Sequence, residues 1–272
     1  MQLTSEQLEN YADQGYLFLP NCFSQPEIER LKAQLPTIYE KKDTPARIIE
    51  ADGKNVRMVF GSHSNNEVFR HLSHHPRIIN PVMQLLGSSV YVHQHSINAK
   101  VALEGDIFRW HQDYAYHREE DGILKPELVV TVVFLDEINE FNGPLMLIPG
   151  SHQEGFVSIF KNRPNSVNIR SRNLQVEQPQ FNHEVSKSEL QRLVNQYGIV
   201  APKGLSGSVI FFHPSCVHGS GSNMYPFDRT VVITVYNSVA NLPATTENLR
   251  PEFLASRDYR PIEPLSDDVL SI

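Results

Sequence analysis

The sequence predicts a mainly β protein: a double-stranded β-helix (a jelly roll of the cupin-like kind) with flanking helices at its N-terminal side. Two observations predict it. Helix starts and stops fill the first 88 residues, and strand-like runs separated by turn signals gather between about 89 and 240. No internal repeat or interdomain linker interrupts them, so the chain is read as one domain, 1–272. Its parts are a helical region to about 88, a jelly-roll core over about 89–240 and a C-terminal extension over 241–272.

Each element has a local reason. Thr4-Ser5-Glu6-Gln7 is a capping-box pattern and opens a short helix. Residues 15–20 read as a short strand. Ser24-Gln25-Pro26-Glu27 is a second box with proline in the first turn. The helix it opens carries Ile28, Leu31, Leu35 and Ile38, and Pro36 is expected to kink or shorten it. Residues 43–63 read as loop and strand. Val68 to Leu72 and Ile78 to Leu86 read as short helices, the second stopped by Gly87. From Val90 the period turns strand-like. Val129 to Leu135, Ser208 to Phe212 and Thr230 to Tyr236 are apolar, β-branched runs, and Asn142-Gly143-Pro144 and Pro149-Gly150-Ser151 mark turns. Residues 160–185 are polar and read as a long loop, of a kind that often serves as a lid. Ser186-Lys187-Ser188-Glu189 caps a helix ending near Tyr197-Gly198.

Composition excludes several classes. A net charge of −7 argues against a nucleic-acid surface. No apolar run is long enough for a membrane span, and the first residues lack the basic and apolar regions of a secretory signal. Two cysteines, Cys22 and Cys216, suit a reducing cytoplasm. The expected partner is a small-molecule substrate, and the expected state is monomer or homodimer.

The chemistry concentrates in Trp110-His111-Gln112-Asp113, His218-Gly219-Ser220 and Arg229. Two histidines and a carboxylate form a facial ligand set for Fe(II), leaving positions open for a co-substrate and O2. On a strand, His111 and Asp113 would share a face. Twelve histidines make a chance His-x-Asp pair common, so the set rests on its combination with His218 and Arg229. His213, five residues before His218, competes as third ligand. Arg229 matches the far carboxylate of 2-oxoglutarate in two hydrogen bonds; the competing reading is a surface arginine paired with Asp228. Ser220 either adds a hydroxyl to that carboxylate or is a turn residue. Gln94 and Asn98, four apart on one strand face, either reach the co-substrate and substrate or meet solvent, and the solvent reading is favoured without further help.

At these residues the chain resembles the phytanoyl-CoA dioxygenase superfamily of Fe(II)/2-oxoglutarate oxygenases, and within it the ectoine hydroxylases. The similar stretches run in order: residues 94–100, 108–113 and 120–122, then Asn142 to His152, 198–201, 218–220, 236–239 and Arg250-Pro251-Glu252-Phe253. The resemblance implies iron at His111, Asp113 and His218, and 2-oxoglutarate at Arg229, Ser220 and Asn98. It places Gln94 near co-substrate and substrate, and makes His152 structural.

The departures fall in the substrate shell. His117 stands where ectoine hydroxylases carry a pocket tryptophan, and Val231 and Ile233 stand where they carry a polar Asn and a Phe. Tyr116, His117 and Arg118 are read either as a basic-aromatic substrate shell or as ordinary loop surface. An Asp at position 113 favours hydroxylation over halogenation, which would need that position vacated for chloride. No basic cluster suggests a CoA substrate. The expectation is a hydroxylase of a small polar or zwitterionic metabolite, in a tailoring step of secondary metabolism such as cyanobacterial alkaloid biosynthesis. The alternatives are an ectoine or amino-acid hydroxylase and, from another class, a non-catalytic metal-binding sensor.

Overall fold

The computed structural model describes residues 1–271 apart from 42–43, 51, 158, 161–182 and 245–249, so most of the long loop expected over 160–185 lies outside the described residues. Both capping boxes form. Thr4 Oγ1 accepts from Gln7 N at 3.2 Å and Gln7 Oε1 accepts from Thr4 N at 2.9 Å, opening α1 (Ser5–Gln14). Glu27 Oε2 accepts from Ser24 N at 2.7 Å at the start of α2 (Gln25–Lys32). Pro36 acts by shortening: α2 ends at Lys32, and α3 (Leu35–Glu40) restarts with the proline in its first turn, where its missing N–H costs nothing. After β1 (Tyr16–Leu19), β2 (Arg47–Ile49) and β3 (Val56–Phe60) come α4 (Ser62–Asn65), α5 (Glu67–Ser73) and α6 (Pro76–Leu86).

The strands follow as β4 (Val90–Lys100), β5 (Phe108–His111), β6 (Leu128–Phe134), β7 (Leu145–Leu147), β8 (Ile159–Phe160), β9 (Glu184–Val185), β10 (Val209–Phe212), β11 (His218–Ser220) and β12 (Arg229–Ser238), with α7 (Asp113–Glu119) and α8 (Lys187–Tyr197) between them. They form two antiparallel sheets, one of seven strands in the order β1-β10-β6-β12-β4-β3-β2 and one of five in the order β7-β11-β5-β9-β8. This is the jelly roll with N-terminal helices that the sequence predicts. The β-branched runs are nearly continuous because both faces of their sheet are covered. Val133, Phe211, Val232 and Tyr236 pack on the helices, against Ile28, Leu31, Phe69 and Ile79. Their neighbours Val132, Phe134, Phe212 and Val231 point to the interior.

The segment 241–272 is more than an appendage. Ser256 N donates to His93 O and Ile262 N to Val90 O, both at 2.8 Å, so it runs beside β4. Ile262 and Leu270 join the main core.

Candidate active site

β5 and β11 pair antiparallel with His111 opposite His218, which brings together residues 107 positions apart. Their ring centroids are 4.2 Å apart. Asp113 reaches them by a different route from the one expected. The strand ends at His111, Gln112 is the N-cap of α7, and Asp113 is the first helical residue, so the shared strand face does not exist. The turn into the helix brings Asp113 Oδ1 to 3.2 Å from His111 Nε2 and 3.6 Å from His218 Nε2. Gln112, which sequence reasoning passed over, fixes that turn. Its Nε2 donates to Gly155 O at 2.8 Å and to Ser215 O at 2.7 Å, and its Oε1 accepts from Val157 N at 3.2 Å. Only its place between two ligand-type residues could have signalled it.

The imidazoles are oriented from behind. His111 Nδ1 lies 2.6 Å from Arg109 O and His218 Nδ1 lies 2.9 Å from Cys216 O. A carbonyl only accepts, so each Nδ1 carries its proton and each Nε2 is turned to the point that Asp113 also faces. Burial, then the neighbouring His111, pushes His218 down to about 4. Burial acts against charge on His111 too, but its hydrogen bond to Asp113 outweighs it and the net shift is upward. Burial would raise Asp113, yet His218 and His111 hold its carboxyl well below the usual range. An ionised carboxylate and imidazole nitrogens, without thiolate, are a donor set that suits Fe(II). His213 takes no part: its Nδ1 accepts from Ser215 N at 3.1 Å and its ring lies tilted against His152, centroids 5.2 Å apart. His152 Nε2 in turn contacts Ala12 O at 3.0 Å.

A second His-His-Asp group, His93, His117 and Asp121, is buried and equally compact. It differs in one respect. Arg250 Nε donates to Asp121 Oδ1 at 2.7 Å and its Nη2 to Oδ2, so a guanidinium already holds the position a metal would take. The sequence reading assigned no role to Asp121 or Arg250, although both lie in stretches it singled out.

Arg229 opens β12 and is 5 % exposed. Its Nε donates to Asn142 O at 3.3 Å and its Nη2 to Gly143 O. The surface pairing with Asp228 does not occur; that carboxylate accepts from Ala102 N at 2.8 Å. Burial pushes Arg229 down to about 10. No acidic side chain among the described residues bonds to it, so the site favours an incoming carboxylate. Ser220 is a buried strand residue, two positions beyond His218, which removes the turn reading. The solvent reading of Gln94 and Asn98 also fails. Asn98 pairs with Val231, Ser96 with Ile233 and Gln94 with Val235 across β4 and β12, and all six line one cavity. Gln94 Oε1 and Asn98 Oδ1 are buried without partners among the described residues, a state costing about 1–3 kcal/mol per group unless a ligand meets it.

That cavity, of about 280 Å³, also contains the three triad residues, Arg229 and Ser220. Tyr116 and His117 are buried helix residues that line it, so the loop-surface reading is wrong for them. Arg118 points elsewhere, with its Cζ 4.8 Å from the Phe156 ring centroid. Arg250 lines the cavity too. Opposite in chemistry are Met58, Phe60, Phe253 and Leu254, an apolar cluster built from β3 and the C-terminal segment.

Comparison with known proteins identifies the family. The family model for phytanoyl-CoA dioxygenase (PhyH) matches residues 11–231. The chain is 35% identical over 260 residues to the L-proline trans-4-hydroxylase of Streptomyces griseoviridis, covering 96% of this chain and 95% of that one. It is 36% identical over 273 residues to the ectoine dioxygenase of Bordetella bronchiseptica, covering 97% and 86%. Among solved structures, EctD from S. alaskensis with 2-oxoglutarate and 5-hydroxyectoine superposes with a TM-score of 0.81 at 29% identity, covering 97% of this chain and 87% of that one. The same enzyme with bound Fe gives 0.79. No helix among the described residues is long and apolar enough to cross a membrane. The chain belongs to the phytanoyl-CoA dioxygenase family and is an Fe(II)/2-oxoglutarate-dependent dioxygenase.

Proposed function

We propose that His111, Asp113 and His218 hold the iron, that Arg229 with Ser220 and Asn98 holds the distal carboxylate of 2-oxoglutarate, and that the enzyme hydroxylates a small, amino-acid-like zwitterion. Bound iron with 2-oxoglutarate and O2 supplies the oxidising chemistry, turning the co-substrate into succinate and CO2. The protein's share is orientation and exclusion of water. Arg229 fixes the co-substrate from one end, while Gln112 and the two backbone carbonyls keep the ligand atoms aimed at one point.

One observation carries the substrate class. At the triad, the cavity presents the Arg250 guanidinium and the His117 imidazole, and elsewhere an apolar wall of Met58, Phe60, Phe253 and Leu254. Asp121 occupies Nε and Nη2 of Arg250, leaving Nη1 for a substrate carboxylate. The apolar wall suits a short hydrocarbon or ring. Relatives named for L-proline and ectoine act on molecules of that kind. His117, Val231 and Ile233 are the positions of the substrate shell that depart from the ectoine hydroxylases. That difference supports a tailoring step in secondary metabolism, and the buried free thiols of Cys22 and Cys216 support a cytoplasmic setting.

The test is a panel of cyclic and acyclic amino acids, ectoine among them, with Fe(II), 2-oxoglutarate and O2. Succinate release matched to a product heavier by one oxygen is expected for at least one zwitterion. Iron and 2-oxoglutarate binding with no zwitterion-dependent succinate would place the substrate outside the amino-acid-like class.

A further inference from the structure

The buried array of His93, Asp121, His117 and Arg250 leaves one ring nitrogen, His117 Nε2, without a partner among the described residues. Asp121 Oδ2 lies 2.8 Å from His93 Nε2 and 3.2 Å from His117 Nδ1, and it also accepts from Arg250 Nη2. The arginine and both histidines keep that carboxylate ionised against its burial. An ionised carboxylate only accepts, so His117 must carry its proton on Nδ1. Arg250 Nη2 also lies 3.4 Å from that nitrogen, but it is already committed to Asp121 and needs no lone pair there. The other ring nitrogen, Nε2, is then a bare acceptor. It is buried, has no partner among the described residues, and belongs to a ring that lines the cavity.

Such an acceptor is fixed in advance. His117 sits on α7 just after Asp113, and its ring meets His93 edge-on at 5.0 Å. The same carboxylate anchors His117 and Arg250, so an acceptor and a guanidinium stand side by side. Amine and carboxylate stand side by side on one α-carbon in the same way.

We propose that His117 determines substrate specificity: its Nε2 accepts an N–H from the substrate's amine while Arg250 takes the carboxylate. This rests on the zwitterion reading above. It predicts selection for substrates with a free N–H and rejection of those whose nitrogen is fully alkylated.

The test measures anaerobic binding of two probes, L-proline and N,N-dimethyl-L-proline, to the Fe(II)- and 2-oxoglutarate-loaded enzyme. Three variants accompany the wild type. His117→Phe keeps a ring without an acceptor, His117→Asn keeps a donor for Asp121 but nothing at Nε2, and His117→Gln returns an acceptor to that level. Wild type should prefer L-proline. The Phe and Asn variants should lose about tenfold in L-proline affinity with little change for the dimethyl probe, and Gln should recover part of the loss. Affinity for 2-oxoglutarate reports whether each variant is folded, and the Asn variant carries the test if the Phe variant is not. Equal effects on both probes, or none, overturn the role of Nε2 and leave the zwitterion reading standing. Failure of wild type to bind either probe or any zwitterion in the panel removes both.

Discussion

At the scale of single residues, the site separates groups that bind from groups that aim. Among the described residues Asp113 is the only carboxylate facing both Nε2 atoms, at 3.2 and 3.6 Å, so removing it leaves two imidazoles and no carboxylate beside them there. Asp113→Ala is expected to abolish iron retention after dialysis and succinate formation together; an iron content equal to wild type would place the carboxylate outside the coordination sphere. Arg229 is a buried cation held by two backbone carbonyls, with no acid among the described residues bonded to it. Losing a charge-assisted pair worth about 3 kcal/mol corresponds to roughly a hundredfold rise in the 2-oxoglutarate KM for Arg229→Ala. Arg229→Lys should recover only part, since a point charge cannot reproduce the planar fork. An unchanged KM would mean that another group holds the far carboxylate. Among the oriented groups, Gln112 shows how an unremarkable amide between two candidate ligands can be occupied by three backbone partners on two loops.

At the scale of elements, the pairing of β5 with β11 is what makes a triad out of distant residues, and it depends on close backbone approach. A Cβ on Gly219 would lie 2.9 Å from Phe108 O and 3.3 Å from Trp110 N, both backbone atoms. Gly219→Ala should therefore prise the two strands apart beside His218. Weaker Fe(II) binding, about tenfold or more, is expected with little loss of far-ultraviolet helical and sheet signal. Retained affinity would show that the strands tolerate the separation. The turn that grips Arg229 has a similar constraint. Gly143 has φ 69°, and a Cβ there would lie 2.5 Å from Gly221 O. Helix α7 was missed in the sequence because Asp113 and His111 were read together as one strand. Its burial comes from tertiary packing, which local composition does not report.

At the scale of the whole molecule, burial of many histidines couples stability to pH. Burial pushes His63, His75 and His213 down to about 4, whereas in the unfolded chain they titrate near 6.5. As pH falls through 6.5 the unfolded state gains protons that the folded state refuses, so stability declines progressively towards pH 4. Above about 7 these groups are neutral in both states and add no slope. Asp121 acts on the acid side: its carboxyl is held down in the fold, so its contribution is complete above about 4 and fades below. Urea midpoints of the metal-free protein should drop steadily from pH 6.5 to 4; a midpoint constant over that range would contradict this account. The sequence by itself determined the capped helices, the β-rich core and the candidate iron ligands, because caps, turns and ligand chemistry are written in nearest neighbours and residue type. Only the tertiary structure decided that Asp113 opens a helix, that Gln94 and Asn98 face the cavity, and that Arg250 and the C-terminal segment complete its wall. Which face of a strand is covered, and which distant side chain neutralises a buried charge, depends on packing between segments far apart in the chain, and no local pattern encodes it.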